Sequence, residues 1–241
     1  MLIIPAIDLR DGKCVRLTQG RRDASKTYDQ EPVAVARRFA EIGARMLHIV
    51  DLDGAFAEKN SLNRCVLREI IRAVDIPVQF GGGIRDSKDV GPLIEMGVSR
   101  VVIGTLAVES PETLTKMIHL FGGRPIAVGI DASNGQVVTH GWEREQPLSA
   151  LALARTVAAI GIERIIYTDV QCDGMLTGPN IDQTSLISRE SGLKVTASGG
   201  ISSLDDLRKL KAVSGCGIDS VIVGKALYEG RFTLADALRI A

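Results

Sequence analysis

One pattern constrains this chain more than any other: a short apolar run, a turn, then a segment of helical period, repeated along the sequence. The apolar runs are residues 2–7, 46–50, 77–80, 100–103, 125–130, 164–167, 193–197 and 220–223. Each is short, rich in β-branched residues and bounded by turn residues, as a strand covered on both faces should be. Between them lie amphipathic stretches such as 33–42, 62–74, 114–120, 150–160 and 204–211. Ser110-Pro111-Glu112 and Asp86-Ser87 signal helix starts, and Gly43, Gly97 and Gly161 signal stops. Eight units in 241 residues are about 30 residues each, the size of a βα repeat. Strict alternation predicts a parallel sheet. An open doubly wound sheet would leave two unpaired edges, so the expectation is closure into an α/β fold, a (β/α)8 TIM barrel, as one domain over residues 1–241.

A second repeat lies over the first. Ile7-Asp8 through Val15 aligns with Ile130-Asp131 through Val138 at an offset of 123 residues. Gly82-Gly83-Ile84 aligns with Gly199-Gly200-Ile201 at 117, Val50-Asp51 with Thr168-Asp169 at 118, and Ile103-Gly104 with Val223-Gly224 at 120. Four matches in one order, each at about half the chain, predict two half-barrels of approximately 1–122 and 123–241. In a barrel of eight, strands four apart face each other, so the matching segments should stand on opposite walls.

Composition removes several classes of function. Twenty-nine basic residues balance 29 acidic ones, which is not the footprint of a nucleic-acid binder. Four cysteines without metal-type or redox-type spacing predict a reducing compartment. No apolar run approaches the roughly 20 residues that span a bilayer, and the start lacks a charged leader region. A cytoplasmic monomer with no membrane partner is expected. Twenty-five glycines stand against one tryptophan, three tyrosines and five phenylalanines, and the places of those glycines matter.

Many fall just after strands. Strand three leads into Gly81-Gly82-Gly83-Ile84-Arg85, strand four into Gly104-Thr105, strand seven into Gly199-Gly200-Ile201 and strand eight into Gly224-Lys225. Glycine there lets backbone N–H groups approach an anion, and a following helix N-terminus adds a favourable dipole. Gly82, Gly83, Gly104, Thr105, Gly199, Gly200 and Gly224 are therefore candidate phosphate-binding residues, with Gly178 in the loop after strand six and Arg85 as a substrate contact. Two such sites on opposite walls predict an elongated small molecule with a phosphate at each end.

Asp8 closes strand one and Asp131 closes strand five, between the two glycine sites. Carboxylates at the C-terminal ends of barrel strands read as catalytic. Partial desolvation could raise one pKa and make it an acid while the other stays a base. Capping of the following loop is the competing reading. After strand six, Asp169 and Asp173 offer a further acid and Thr168 a hydrogen bond to reacting atoms, while Asp173-Gly174 reads equally as a turn. His48, inside strand two, is either a site residue or a satisfied core histidine. Trp142, after strand five, could stack on a heterocycle or plug the barrel mouth. The three histidines lie far apart and no cysteine pair has zinc spacing, so neither metal nor cofactor is expected. Carboxylates alone can move protons, which suits an isomerisation or a ring opening.

These residues carry a resemblance. Ile4-Pro5-Ala6-Ile7-Asp8-Leu9, Asp11-Gly12-Lys13-Cys14-Val15-Arg16-Leu17, Gly81-Gly82-Gly83-Ile84-Arg85, Thr168-Asp169, Asp173-Gly174, Thr177-Gly178-Pro179-Asn180 and Ala197-Ser198-Gly199-Gly200-Ile201 occur in order over the whole chain. Together they resemble the ProFAR isomerase (HisA-type) family of histidine biosynthesis. The resemblance implies a half-repeat barrel that performs a cofactor-free Amadori rearrangement of a bisphosphorylated aminoaldose. By position, Asp8 matches the family's general base and Asp131 its general acid, with Thr168 and Asp173 in support. In some members the residue matching Asp173 is the acid instead.

The paralogous cyclase shows Cys-Leu-Asp at the end of strand one and a lysine in the next loop, where this chain has Ala6-Ile7-Asp8 and Gln19. Isomerases that also accept phosphoribosylanthranilate tend to carry arginine two residues before the loop tryptophan, where this chain has His140. A non-catalytic phosphosugar-binding barrel would keep the glycines without needing Asp8 and Asp131.

Overall fold

A computed structural model describes residues 1–17, 25–29, 31–58 and 62–240; Gln19 lies outside them. Eight parallel strands close on themselves: β1 (Leu2–Arg10), β2 (Leu47–Asp51), β3 (Val78–Gly81), β4 (Arg100–Ile103), β5 (Ile126–Ser133), β6 (Arg164–Asp169), β7 (Lys194–Ser198) and β8 (Ile218–Val223). Each pairs with the next, and β8 returns to β1 through Leu2↔Ser220 to Pro5↔Val223. Helices follow the strands in turn: α1 (Pro32–Ile42), α2 (Leu62–Ala73), α3 (Ser87–Met96), α4 (Pro111–Phe121), α5 (Ala150–Ala159), α6 (Ile181–Ser191), α7 (Leu204–Ala212) and α8 (Leu234–Ile240). The expected (β/α)8 barrel is what the chain forms. No helix among the described residues is long and apolar enough to cross a membrane.

Period-2 alternation splits every buried strand between two cores. Ile3, Ile7, Ile49, Val101 and Val128 face the helices in the main cluster. Ile4, Ala6, Ile166 and Ile222 fill the barrel itself with Met46. Local signals set the helix ends as expected: Pro111 opens α4, and Gly43 and Gly97 end α1 and α3 in the left-handed region.

One feature departs from the sequence expectation. The strands read as 2–7 and 125–130 run on to Arg10 and Ser133, because each folds back as a hairpin. Their turns are Asp11-Gly12 and Asn134-Gly135, each with both residues at positive φ, the two-residue pattern that suits antiparallel strands. The helix signalled by Asp86-Ser87 and Gly97 forms as α3, with Pro92 inside it. Asp86 and Asp89 form a reciprocal capping box that fixes its start, and Ser203 with Asp206 does the same for α7, 117 residues later.

Candidate active site

A cavity of about 420 Å³ opens at the C-terminal ends of the strands, above Ala6, Ile166 and Ile222. Inward-facing parity puts Asp8 on its wall two residues beyond Ala6, and Asp131 two residues beyond Gly129. Thr168, opposite Asp131 in the β5–β6 register, is also on the wall and only 7% exposed. Asp131 accepts a hydrogen bond from the indole N–H of Trp142 at 2.9 Å. Burial pushes its carboxyl above the ordinary aspartate value, against the opposing hydrogen bonds of Trp142 and Thr168. A buried acid across the cavity from Asp8 is an arrangement that can give and take protons on one bound molecule.

The glycine turns flank the carboxylates. Gly82 and Gly83 after β3, Gly104 and Thr105 after β4, Gly199 and Gly200 after β7 and Gly224 after β8 all line the cavity. The structure adds a second reason for several of these glycines. A Cβ on Gly82 (φ 103°) would lie 2.1 Å from the Asp51 carbonyl oxygen. One on Gly200 (φ 82°) would lie 2.2 Å from that of Gly178. Adjacent βα loops pack too closely for any side chain. Gly104, by contrast, has nothing within 4 Å of where a Cβ would stand.

Among the described residues, each end of the cavity carries one cation on its wall. Arg85 donates to the Gly54 carbonyl at 2.9 Å, and Lys225 Nζ to the Gly174 carbonyl at 2.7 Å. Lys225 is a wall residue that the sequence reading does not name as a site residue, although its position directly after Gly224 is the signal for it. His48 lines the cavity with its Nδ1 3.0 Å from the Gln79 amide nitrogen. Asp173 and Gly174 are on the wall as well. Gly174 has φ 70°, so the turn reading of this pair holds alongside the site reading. Trp142 is on the wall, with its indole N–H bonded to Asp131.

Two expectations need correction. Asp169 is not on the cavity wall: it is 6% exposed, and its carboxylate accepts from Gln171 N at 3.0 Å and Asn180 Nδ2 at 2.7 Å. Parity turns it outward, one residue beyond inward-facing Thr168. It clamps the start of α6, as Asp51 binds Asn63 at the start of α2 at 2.6 Å. Gly178 is off the wall too, and its N–H donates to the Gly200 carbonyl at 3.0 Å, so it braces the Gly199-Gly200 turn from behind. Cys172 also stays off the wall, its thiol pushed up by burial and then by Asp169 and Asp173. Among the described residues no three histidine, cysteine or acidic side chains gather as a metal site.

Residues 2–233 match the family described as "Histidine biosynthesis protein". A relative from Moorella thermoacetica is 50% identical over 241 residues, covering all of this chain and 98% of its own. One from Desulforudis audaxviator is 49% identical over all of this chain and 91% of its own, and one from Syntrophomonas wolfei 46% over all of this chain and 98%. All three are named 1-(5-phosphoribosyl)-5-((5-phosphoribosylamino)methylideneamino)imidazole-4-carboxamide isomerase.

Proposed function

Since this chain belongs to the histidine biosynthesis protein family, we propose that it is an aldose–ketose isomerase acting on that bis-phosphoribosyl imidazole carboxamide, with Asp8 as base and Asp131 as acid. The observation that carries the assignment is one cavity holding both aspartates between two glycine-lined turns. Backbone amides at Gly82, Gly83 and Gly104 with Thr105 take one phosphate, and those at Gly199, Gly200 and Gly224 take the other. Arg85 and Lys225 offset charge at the two ends. A substrate gripped at both ends has its aminosugar held over the barrel axis, where proximity lowers the barrier by several kcal/mol, as an order of magnitude.

Asp131 protonates the ring oxygen of the aminoaldose, and the C1–O bond breaks to leave a protonated Schiff base. That iminium is the electron sink. Asp8 removes the proton from C2, and the electron pair forms a C1–C2 double bond, giving an enolamine. C1 then gains a proton as the C2 hydroxyl loses one, which yields the aminoketose. Thr168 orients Asp131 through its hydrogen bond, and Asp173 stands beside the reacting sugar in support. The chain works as a monomer in the cytoplasm on this reading, since one barrel holds every group the reaction uses.

The test is direct. Asp8→Asn should fold, bind substrate and lose turnover by about three orders of magnitude or more, the scale expected of a general base. Turnover near that of the unchanged protein ends the base assignment. Phosphoribosylanthranilate offered to the same sample should be left unconverted, in keeping with His140 where dual-substrate isomerases carry arginine.

A further inference from the structure

The indole N–H of Trp142 donates to Oδ2 of Asp131 at 2.9 Å. The loop that delivers it is held in an unfavourable shape: His140, Gly141 and Trp142 are consecutive at φ 58°, 65° and 73°. Two of the three carry side chains, for which this backbone region costs free energy. Three contacts hold the loop there. The His140 N–H donates to the Thr105 hydroxyl at 3.1 Å, and the His140 ring stands 3.4 Å from the Glu109 carboxylate. Gly141 lies so close to Phe56 that a Cβ would come within 2.5 Å of the ring. None of these contacts uses an indole at position 142. A plain aromatic ring would keep most of the apolar contact and lose the hydrogen bond, so the N–H is what tryptophan adds in kind.

We propose that Trp142 is a positioning residue that sets the proton affinity of Asp131, its N–H favouring the carboxylate against the apolar end of the barrel. The inference rests on the reading of Asp131 as the acid. Indole nitrogen donates and never accepts, so it stabilises the charged form of a carboxyl more than the neutral one. Burial works the other way, and the Thr168 hydroxyl adds to the indole. With the indole gone, burial is less opposed and the proton is held more tightly. An acid that must carry a proton then stays active to higher pH. Among the described residues, the other ionisable groups facing the cavity are Asp8 from β1, His48 from β2, Arg85 after β3, Glu109 and His140 near β4 and β5, Asp173 after β6 and Lys225 after β8. All remain in place when only residue 142 is changed.

The experiment is a carboxyl titration by NMR on the full chain labelled with carboxyl-13C aspartate, without substrate, with Asp131→Asn identifying the Asp131 signal. In Trp142→Phe the Asp131 midpoint should rise by about one pH unit, the scale of a charged hydrogen bond. The high-pH limb of kcat/KM should rise by the same amount, which a purely packing role for the ring would not produce. A midpoint that does not move overturns the proposal. A midpoint that rises while the kcat/KM limb stays put upholds it and removes Asp131 from the acid role. Full turnover in Asp131→Asn removes that role independently, and the titration still decides Trp142.

Discussion

At Gly82 a single methyl group has nowhere to go, whereas at Gly104 it meets open space. The two glycines therefore separate the reasons for which glycine follows a barrel strand. Gly82→Ala should lower stability by about 3 kcal/mol, through left-handed strain and collision with the Asp51 carbonyl. Gly104→Ala should leave stability within about 0.5 kcal/mol and raise KM instead, as the added methyl stands where a phosphate would approach. Urea unfolding and substrate kinetics on both variants check the pair, and equal loss of stability in the two would refute it. Parity explains which aspartates the sequence reading placed well. Asp8 and Asp131 each end an apolar strand in phase with its inward residues. Asp169 also ends one, but next to inward Thr168 and so facing the helices. That phase is legible in Ile166, Tyr167, Thr168 and Asp169, and counting Asp169 as a site acid overlooks it.

Between elements, two asparagines tie strand ends to helix starts. Asn63 is fully buried and reaches the Leu9 carbonyl, Asp51 and Asp53, while its Oδ1 accepts from Gly12 N. Asn180 caps α6 and holds Asp169. Asn63→Ala should cost about 3 kcal/mol and Asn180→Ala about 2, because the first strips a donor from two buried carboxylates and the second from one. Chemical denaturation of the two variants tests the order, and the reverse order counts against this account. The hairpins after β1 and β5 were within reach of the sequence. Asp11-Gly12 and Asn134-Gly135 are strong turn signals, but they were read only as part of the half-repeat. The asparagine clamps were not within reach, since each joins residues from different elements.

The barrel is closed at its other end by charge. Arg164 pairs with Asp219, and Arg100 reaches the Gln79 amide oxygen at 2.9 Å. Burial first, and then repulsion from Arg164, lowers Arg100 to about 10. For Asp219, burial opposes the charge, but the hydrogen bonds and charge of Arg164 outweigh it and hold the carboxyl below the usual range. A depressed carboxyl contributes stability above its unfolded value, about 3.9, and loses it as pH falls through the lower folded value. Asp219→Asn should therefore be less stable at pH 7, with the gap closing in strong acid. Asp219 is 42% exposed, so screening limits the gap to about 1 kcal/mol. Thermal melts at pH 7 and in strong acid measure it, and a gap that persists in acid would falsify the ion pair as its source.

From sequence alone came the count of βα units, the parallel closure, the half-chain repeat and the two aspartates between two glycine sites. All are local or periodic, because strand runs, turn residues and helix ends are written in neighbouring residues. Tertiary structure alone decided which strand-end carboxylates face the cavity as a group, and that Gly178 supports the Gly199-Gly200 turn from behind. It also decided that the indole of Trp142 lands on Asp131. Each of these depends on which surfaces meet when the barrel closes, and that meeting brings together atoms far apart along the chain.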